Sequence, residues 1–366
     1  MPVVPFPGLL VAKQMVSDSR RYDIDWLRVI AIAILIIYHA VVSFQPWALD
    51  IAFIQSEQSL VWLWIPMELV NIWRIPLLFF VSGMGVCFAM RKRDWRGLLE
   101  ERLKRILLPL VFGALVIVPM HFLVFQLHYP NIYLEYWPSM GHLWFLGNIM
   151  AYVILCLPIF HFFQKTPENA FIELLKRLLK SPLGLVIIAI PFIVEALVIA
   201  PHYFSMYADT LHGFLIGLLA FFFGYCFVSI GDVFFKLVYK HKLWLFLTAL
   251  LLYFIRLLVF GLAYVPVWLI SIESMLWLYA VFGYAYGYRN QPSALLSYLS
   301  PAVYPIYIMH MFFQYLTSSY VLKFDMSAVL QVVVIIVFTL LFSWLSYELI
   351  VKRARYLRPL FGLNYK

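Results

Sequence analysis

The sequence predicts an all-α protein that folds inside a bilayer, and three observations predict it. Of its 366 residues 64% are hydrophobic and 12% charged, more apolar than a soluble domain of that length sustains. Ten stretches are long enough to cross an apolar layer, which takes roughly 17 to 25 residues. Tyr and Trp gather near the ends of these stretches, as in an interfacial aromatic belt.

The stretches are 27–44, 66–90, 104–126, 143–163, 183–200, 211–230, 243–264, 265–288, 301–321 and 327–350, with ends soft by a few residues. Alternate connections between them differ sharply in charge: 23 of the 27 Lys and Arg fall on one side and only Lys323 on the other. Arg28, Arg74 and Arg256 lie within spans. The positive-inside rule therefore predicts cytoplasmic termini. Residues 1–26 read as a cytoplasmic tail, 27–350 as one ten-helix membrane domain and 351–366 as a second cytoplasmic tail. The net charge of +9 is explained by this topology, so no nucleic-acid partner is expected. Residues 1–10 lack a basic start and a small-residue cleavage site and are not read as a signal peptide. Cys87, Cys156 and Cys226 all sit in apolar spans, which speaks against a disulfide or zinc framework, and no metal site is expected. The amphipathic run at 171–180 reads as a helix along the inner membrane surface.

Ionisable groups at membrane depth are expensive and mark functional sites. Arg28 and His39 are 11 residues apart. At about 100° per residue that is roughly 20° past three turns, so both lie on one helix face, about 16 Å apart. A neutral imidazole at His39 can take a proton from a hydroxyl or attack a carbonyl; the plainer reading is a structural hydrogen bond, and for Arg28 a snorkelling side chain. Arg74 opens the run Arg-Ile-Pro-Leu-Leu-Phe-Phe-Val-Ser-Gly, which ends at Ser82 and Gly83. It can stabilise an oxyanion or simply pair with a buried acid such as Glu68, and Ser82 and Gly83 suit close helix packing. Arg102 and Arg105, at i and i+3, can clamp a phosphate or merely mark topology. His142 opens the fourth span, and Tyr304, Tyr307 and His310 follow in the ninth, the last two sharing a face. Arg256, Glu195 and Glu273 read as a charge-balanced set that orders the bundle.

Asp25-Trp-Leu-Arg28, ten residues and then His39 resembles the opening signature of the acyltransferase-3 family of membrane acyltransferases. The likeness continues through 74–83, the Arg102–Arg105 pair before Pro109, 141–146 and 304–310. Within the family the chain looks most like the branch that modifies periplasmic glucans, represented by glucan succinyltransferases. The resemblance implies a multi-pass protein of the inner (plasma) membrane. It would move an acyl group, acetyl or succinyl, from cytoplasmic acyl-coenzyme A to a hydroxyl of an envelope carbohydrate or glycolipid. Acyl-coenzyme A would be a co-substrate rather than a bound cofactor. His39, Arg28 and Arg74 would be catalytic; Arg28, Arg102 and Arg105 would hold the donor; Ser82, His142, Tyr304, Tyr307 and His310 would support substrate or structure. The extracytoplasmic hydrolase-like domain of some members has no counterpart after the tenth span, so transfer is expected from the membrane domain itself or with a separate periplasmic partner. The competing class is a transporter or flippase of an envelope precursor using Arg28 and His39 as a path.

Overall fold

The computed structural model describes residues 20–364, which leaves residues 1–10 outside the described part. Among the described residues all regular structure is helical. Helix α1 is Tyr22–Val42 and α2 is Trp64–Met90. Helix α3 runs over Trp95–His128, opened by Asp94, whose carboxylate accepts from the Gly97 N–H at 2.9 Å. Two π-turns, Leu103–Leu107 and Gly113–Ile117, interrupt it just before Pro109 and Pro119. Proline cannot donate to the preceding turn, and an extra residue in the turn is one way the helix accommodates that. Next come α4 (Trp144–Lys165), the short amphipathic α5 (Ala170–Leu178) and α6 (Leu183–Ile199). The series closes with α7 (Leu211–Ser229), α8 (Val233–Phe260), α9 (Val267–Tyr288), α10 (Ala294–Val321) and α11 (Ala328–Ser346).

Each of the ten expected stretches is therefore helical. Among the described residues eight helices are long and apolar enough to cross a membrane, and a ninth span results if α5 and α6, bent by 117°, are taken as one. Helix α10 has the length, at 28 residues, but its inner face carries His310, Gln314, Thr317 and Ser318, which leaves it outside that set. The chain is a multi-pass membrane protein.

Helix α2 is the centre of the bundle. Its close partner is α7: a Cβ on Gly83 would lie 1.9 Å from the Phe221 carbonyl oxygen, and one on Gly224 would lie 2.1 Å from that of Phe80. In lipid, where burial supplies little force between helices, such backbone contact is what holds two helices together. Ser82 donates back to the Leu78 carbonyl of its own helix at 2.8 Å. Cross-links tie the basic ends of the helices into one layer: Arg91 donates to the Val228 carbonyl at 3.0 Å, and the backbone N–H of Tyr22 to Asn290 Oδ1 at 3.2 Å. Arg21, beside Tyr22, lies 3.8 Å from Asp232.

The expected charge set is partly regrouped. Arg256, 1% exposed, pairs with Glu273 at 2.8 Å as anticipated, but its second carboxylate is Glu68 at 3.0 Å. Glu195 lies apart and binds His212 Nδ1 at 3.0 Å. Glu68 is thereby engaged away from Arg74, and the ion pair considered for Arg74 does not form.

Candidate active site

His39 lies three residues before the end of α1, about 27 Å along the helix from Arg21 at 1.5 Å per residue. Its imidazole meets α10: His39 Nδ1 is 2.9 Å from His310 Nε2, and the two rings stack with centroids 5.1 Å apart. The proton positions in this pair follow from what lies behind it. His310 Nδ1 is 2.5 Å from the Tyr307 carbonyl oxygen, which can only accept, so Nδ1 carries the hydrogen. A neutral His310 then presents a lone pair at Nε2, and His39 must donate from its own Nδ1. That leaves Nε2 of His39 as the basic nitrogen, and no described residue bonds it.

Two more histidines complete the cluster. His142, from the turn before α4, donates from Nε2 to the Ile308 carbonyl at 3.1 Å, and its carbonyl accepts from the Tyr307 hydroxyl at 2.6 Å. Its ring stands edge-on to His310 at 5.2 Å. His121 of α3, 2% exposed, lies 5.7 Å from the His142 ring and 4.8 Å from Tyr315. Sequence reading did not select His121; a histidine inside an apolar span two residues after a proline was the available signal. Among the described residues no group of three or more His, Cys, Asp or Glu is arranged to hold a metal ion.

Arg74 stands over the Tyr38 ring at 4.3 Å and is 3% exposed. No described residue makes an ion pair or hydrogen bond with it, and its Nε is buried without a partner. It lies within charge–charge range of His39. An unpaired buried guanidinium is costly, so it marks a place for an anion or a developing negative charge.

Towards the basic end, Arg28 is 40% exposed and 3.6 Å from Asp25. Arg102 lies within charge–charge range of both Arg28 and Arg105, and its Nε is buried without a partner, as is the Tyr304 hydroxyl. Arg102 opens the first π-turn of α3 and Arg105 lies within it. Arg105 reaches Glu101 at 3.5 Å and donates to Asn364 Oδ1 at 3.1 Å. Buried polar atoms are nearly always satisfied by protein or by something bound. The unsatisfied ones here include the Arg102 and Tyr304 groups near the basic end and Arg74 Nε and His142 Nδ1 near the histidines.

The far side of the cluster is roofed by residues 43–63, which link the first two spans. Phe53 packs on His39 with ring centroids 5.8 Å apart, and Phe44, Ala48 and Ile54 are buried. The Tyr315 hydroxyl donates to the Ala52 carbonyl at 2.7 Å and the Gln55 N–H to the Tyr129 hydroxyl at 3.0 Å, which fastens this cap to α10 and to the end of α3.

No curated protein and no solved structure matches the chain. A family model does: the acyltransferase domain of the acyltransferase-3 family matches residues 21–348, a stretch that includes α1 with its Arg28 and His39, the α3 arginines and the α10 histidine. The chain belongs to that family and is a membrane acyltransferase.

Proposed function

We propose that the protein transfers a short acyl group, acetyl or succinyl, from acyl-coenzyme A to a hydroxyl of an envelope carbohydrate or glycolipid, with His39 Nε2 as the base. The orientation of His39 carries this reading: one nitrogen is committed to His310, and the other is left basic and unbonded, with the unpaired Arg74 within charge–charge range of the ring. The nucleotide end of the donor is anionic and meets Arg28 and Arg102; its long, mostly uncharged arm bridges the roughly 16 Å from Arg28 to His39. His39 Nε2 accepts the acceptor's hydroxyl proton as that oxygen bonds to the thioester carbon. The guanidinium of Arg74 stabilises the oxyanion that forms on the carbonyl oxygen. Collapse breaks the carbon–sulfur bond, and the imidazolium returns its proton to the departing thiolate. An acyl-imidazole formed at the same nitrogen is the other route, and it needs the same lone pair. Cytoplasmic termini, ten spans and an inner-membrane location belong to this proposal, and a separate periplasmic partner remains compatible with it.

The test is thiol release from acetyl- and succinyl-coenzyme A by the detergent-purified protein. It is run beside mass spectrometry of envelope glycans from cells with and without the gene. His39→Gln should lose on the order of 10²- to 10⁴-fold in transfer while still binding coenzyme A. Near-normal turnover of a folded His39→Gln would remove His39 from the chemistry, and an unaltered glycan profile would remove the carbohydrate acceptor.

A further inference from the structure

We propose that a groove between α1, α2, α8 and α9, on a different face of α1 from His39, binds one anionic membrane phospholipid, with an acyl chain in the groove and the phosphate at its basic mouth. The groove encloses about 560 Å³ and is lined almost wholly by apolar side chains, Ile30 and Ala31 of α1, Leu77 of α2, Phe246 of α8, and Ala280 and Val281 of α9 among them. Two small residues, Ala31 and Ala280, open it, because a larger side chain at either would occupy the space. Ile30 follows Arg28 by two residues, about 200° around the helix, and Ala31 by three, about 60° short of a full turn, so the groove lies to one side of the face that carries Arg28 and His39. Ile30 is 42% exposed and Tyr288 66% exposed, which opens the groove sideways to lipid.

Its length and its ends identify the occupant. From Trp277 to Tyr288 along α9 is 11 residues, about 16 Å, close to half of a hydrocarbon core of about 30 Å. That is the reach of an acyl chain from one leaflet. One end is closed by Trp73 and Trp277, and the other by Trp26, Tyr288 and Arg289. The Arg289 guanidinium lies 5.5 Å from the Trp26 ring, and Lys242 Nζ, which sits over the Tyr239 ring at 3.9 Å and donates to the Tyr239 carbonyl at 3.4 Å, lies 5.7 Å from the Tyr288 ring beside the groove. Neither cation makes an ion pair with a described residue. Aromatic rings at headgroup level beside two unpaired cations, at the mouth of a chain-length apolar groove, are what an anionic glycerophospholipid requires.

The experiment uses the purified full-length protein in detergent, with native mass spectrometry and thermal unfolding read in parallel. Phosphatidylglycerol is compared with phosphatidylcholine of the same chains and with chainless glycerophosphate. The expected result is one retained phosphatidylglycerol per chain and a raised unfolding temperature, with neither effect from the other two. At about 1 kcal/mol per basic contact, Arg289→Gln with Lys242→Gln should weaken that binding about thirtyfold. Val281→Trp, or Ile30→Trp at the exposed rim should the former misfold, should fill the groove and abolish retention. Equal retention of both lipids, an equal effect of glycerophosphate, or retention indifferent to all of these substitutions would overturn the proposal. So would a protected dimer with no lipid bound. None of these readouts depends on acyl transfer, so the site stands or falls apart from the proposed activity.

Discussion

Which nitrogen of His39 is basic is decided by a peptide carbonyl one ring away. The Tyr307 carbonyl fixes the hydrogen on His310 Nδ1, and His310 Nε2 then fixes the hydrogen on His39 Nδ1. His310 is thus a positioning residue. His310→Ala should lower turnover by about ten- to a hundredfold, less than the general-base contribution itself, with the donor KM unchanged. His310→Gln, whose amide oxygen can accept from His39 Nδ1, should recover a good part of that loss. Steady-state kinetics on both variants checks this, and equal damage from Gln and Ala would reduce His310 to a packing role. The sequence disclosed the participants more readily than their pairing. Arg28 and His39 share a face by arithmetic alone, and His310 stands out as an imidazole in an apolar span. That His39 and His310 touch is a tertiary fact across 271 residues, which no local period reveals. His121 carries the same local signal, an imidazole in an apolar span, but its neighbours His142 and Tyr315 come from other parts of the chain.

At the level of elements, the apolar runs located every long helix, because in a bilayer each span must satisfy its own backbone. The interruptions inside α3 are not legible: its π-turns show how a proline is absorbed once neighbours are present. The break between α5 and α6 is foreshadowed, because the amphipathic run at 171–180 reads as a helix separate from the span at 183–200, and the two helices meet at 117°. The role of residues 43–63 as a cap also lay beyond pattern reading, because its buried Phe44, Ala48 and Ile54 show no helical period. Gly83, by contrast, was read as a packing residue, and its contact with Phe221 makes the reading quantitative. A methyl group there meets backbone rather than a flexible side chain, so Gly83→Ala should destabilise the fold by at least the ~1–3 kcal/mol typical of overpacking. Thermal unfolding in detergent measures it, with Gly85→Ala, where nothing lies within 4 Å, as the neutral control.

For the whole molecule, the asymmetry of Lys and Arg predicts which end faces the cytoplasm. Single cysteines at Tyr133 and Lys240, placed in a background where Cys87, Cys156 and Cys226 are replaced, should label from opposite sides of the membrane, Tyr133 from outside. Labelling of both from one side would break the proposed topology. The interior charge also has to close over the whole bundle rather than pair by pair. Arg256 pairs with two carboxylates, Glu68 and Glu273, so the second positive charge that balances them is that of Arg74, which makes no ion pair with a described residue. Hydrocarbon offers no counterions, so deleting either guanidinium changes the electrical balance of the whole interior. An inactive Arg74→Met enzyme would therefore report two losses at once, one at the thioester and one in the field that the remaining buried charges share. Arg74→Lys, which keeps the charge and loses the planar fork, is the substitution that separates them.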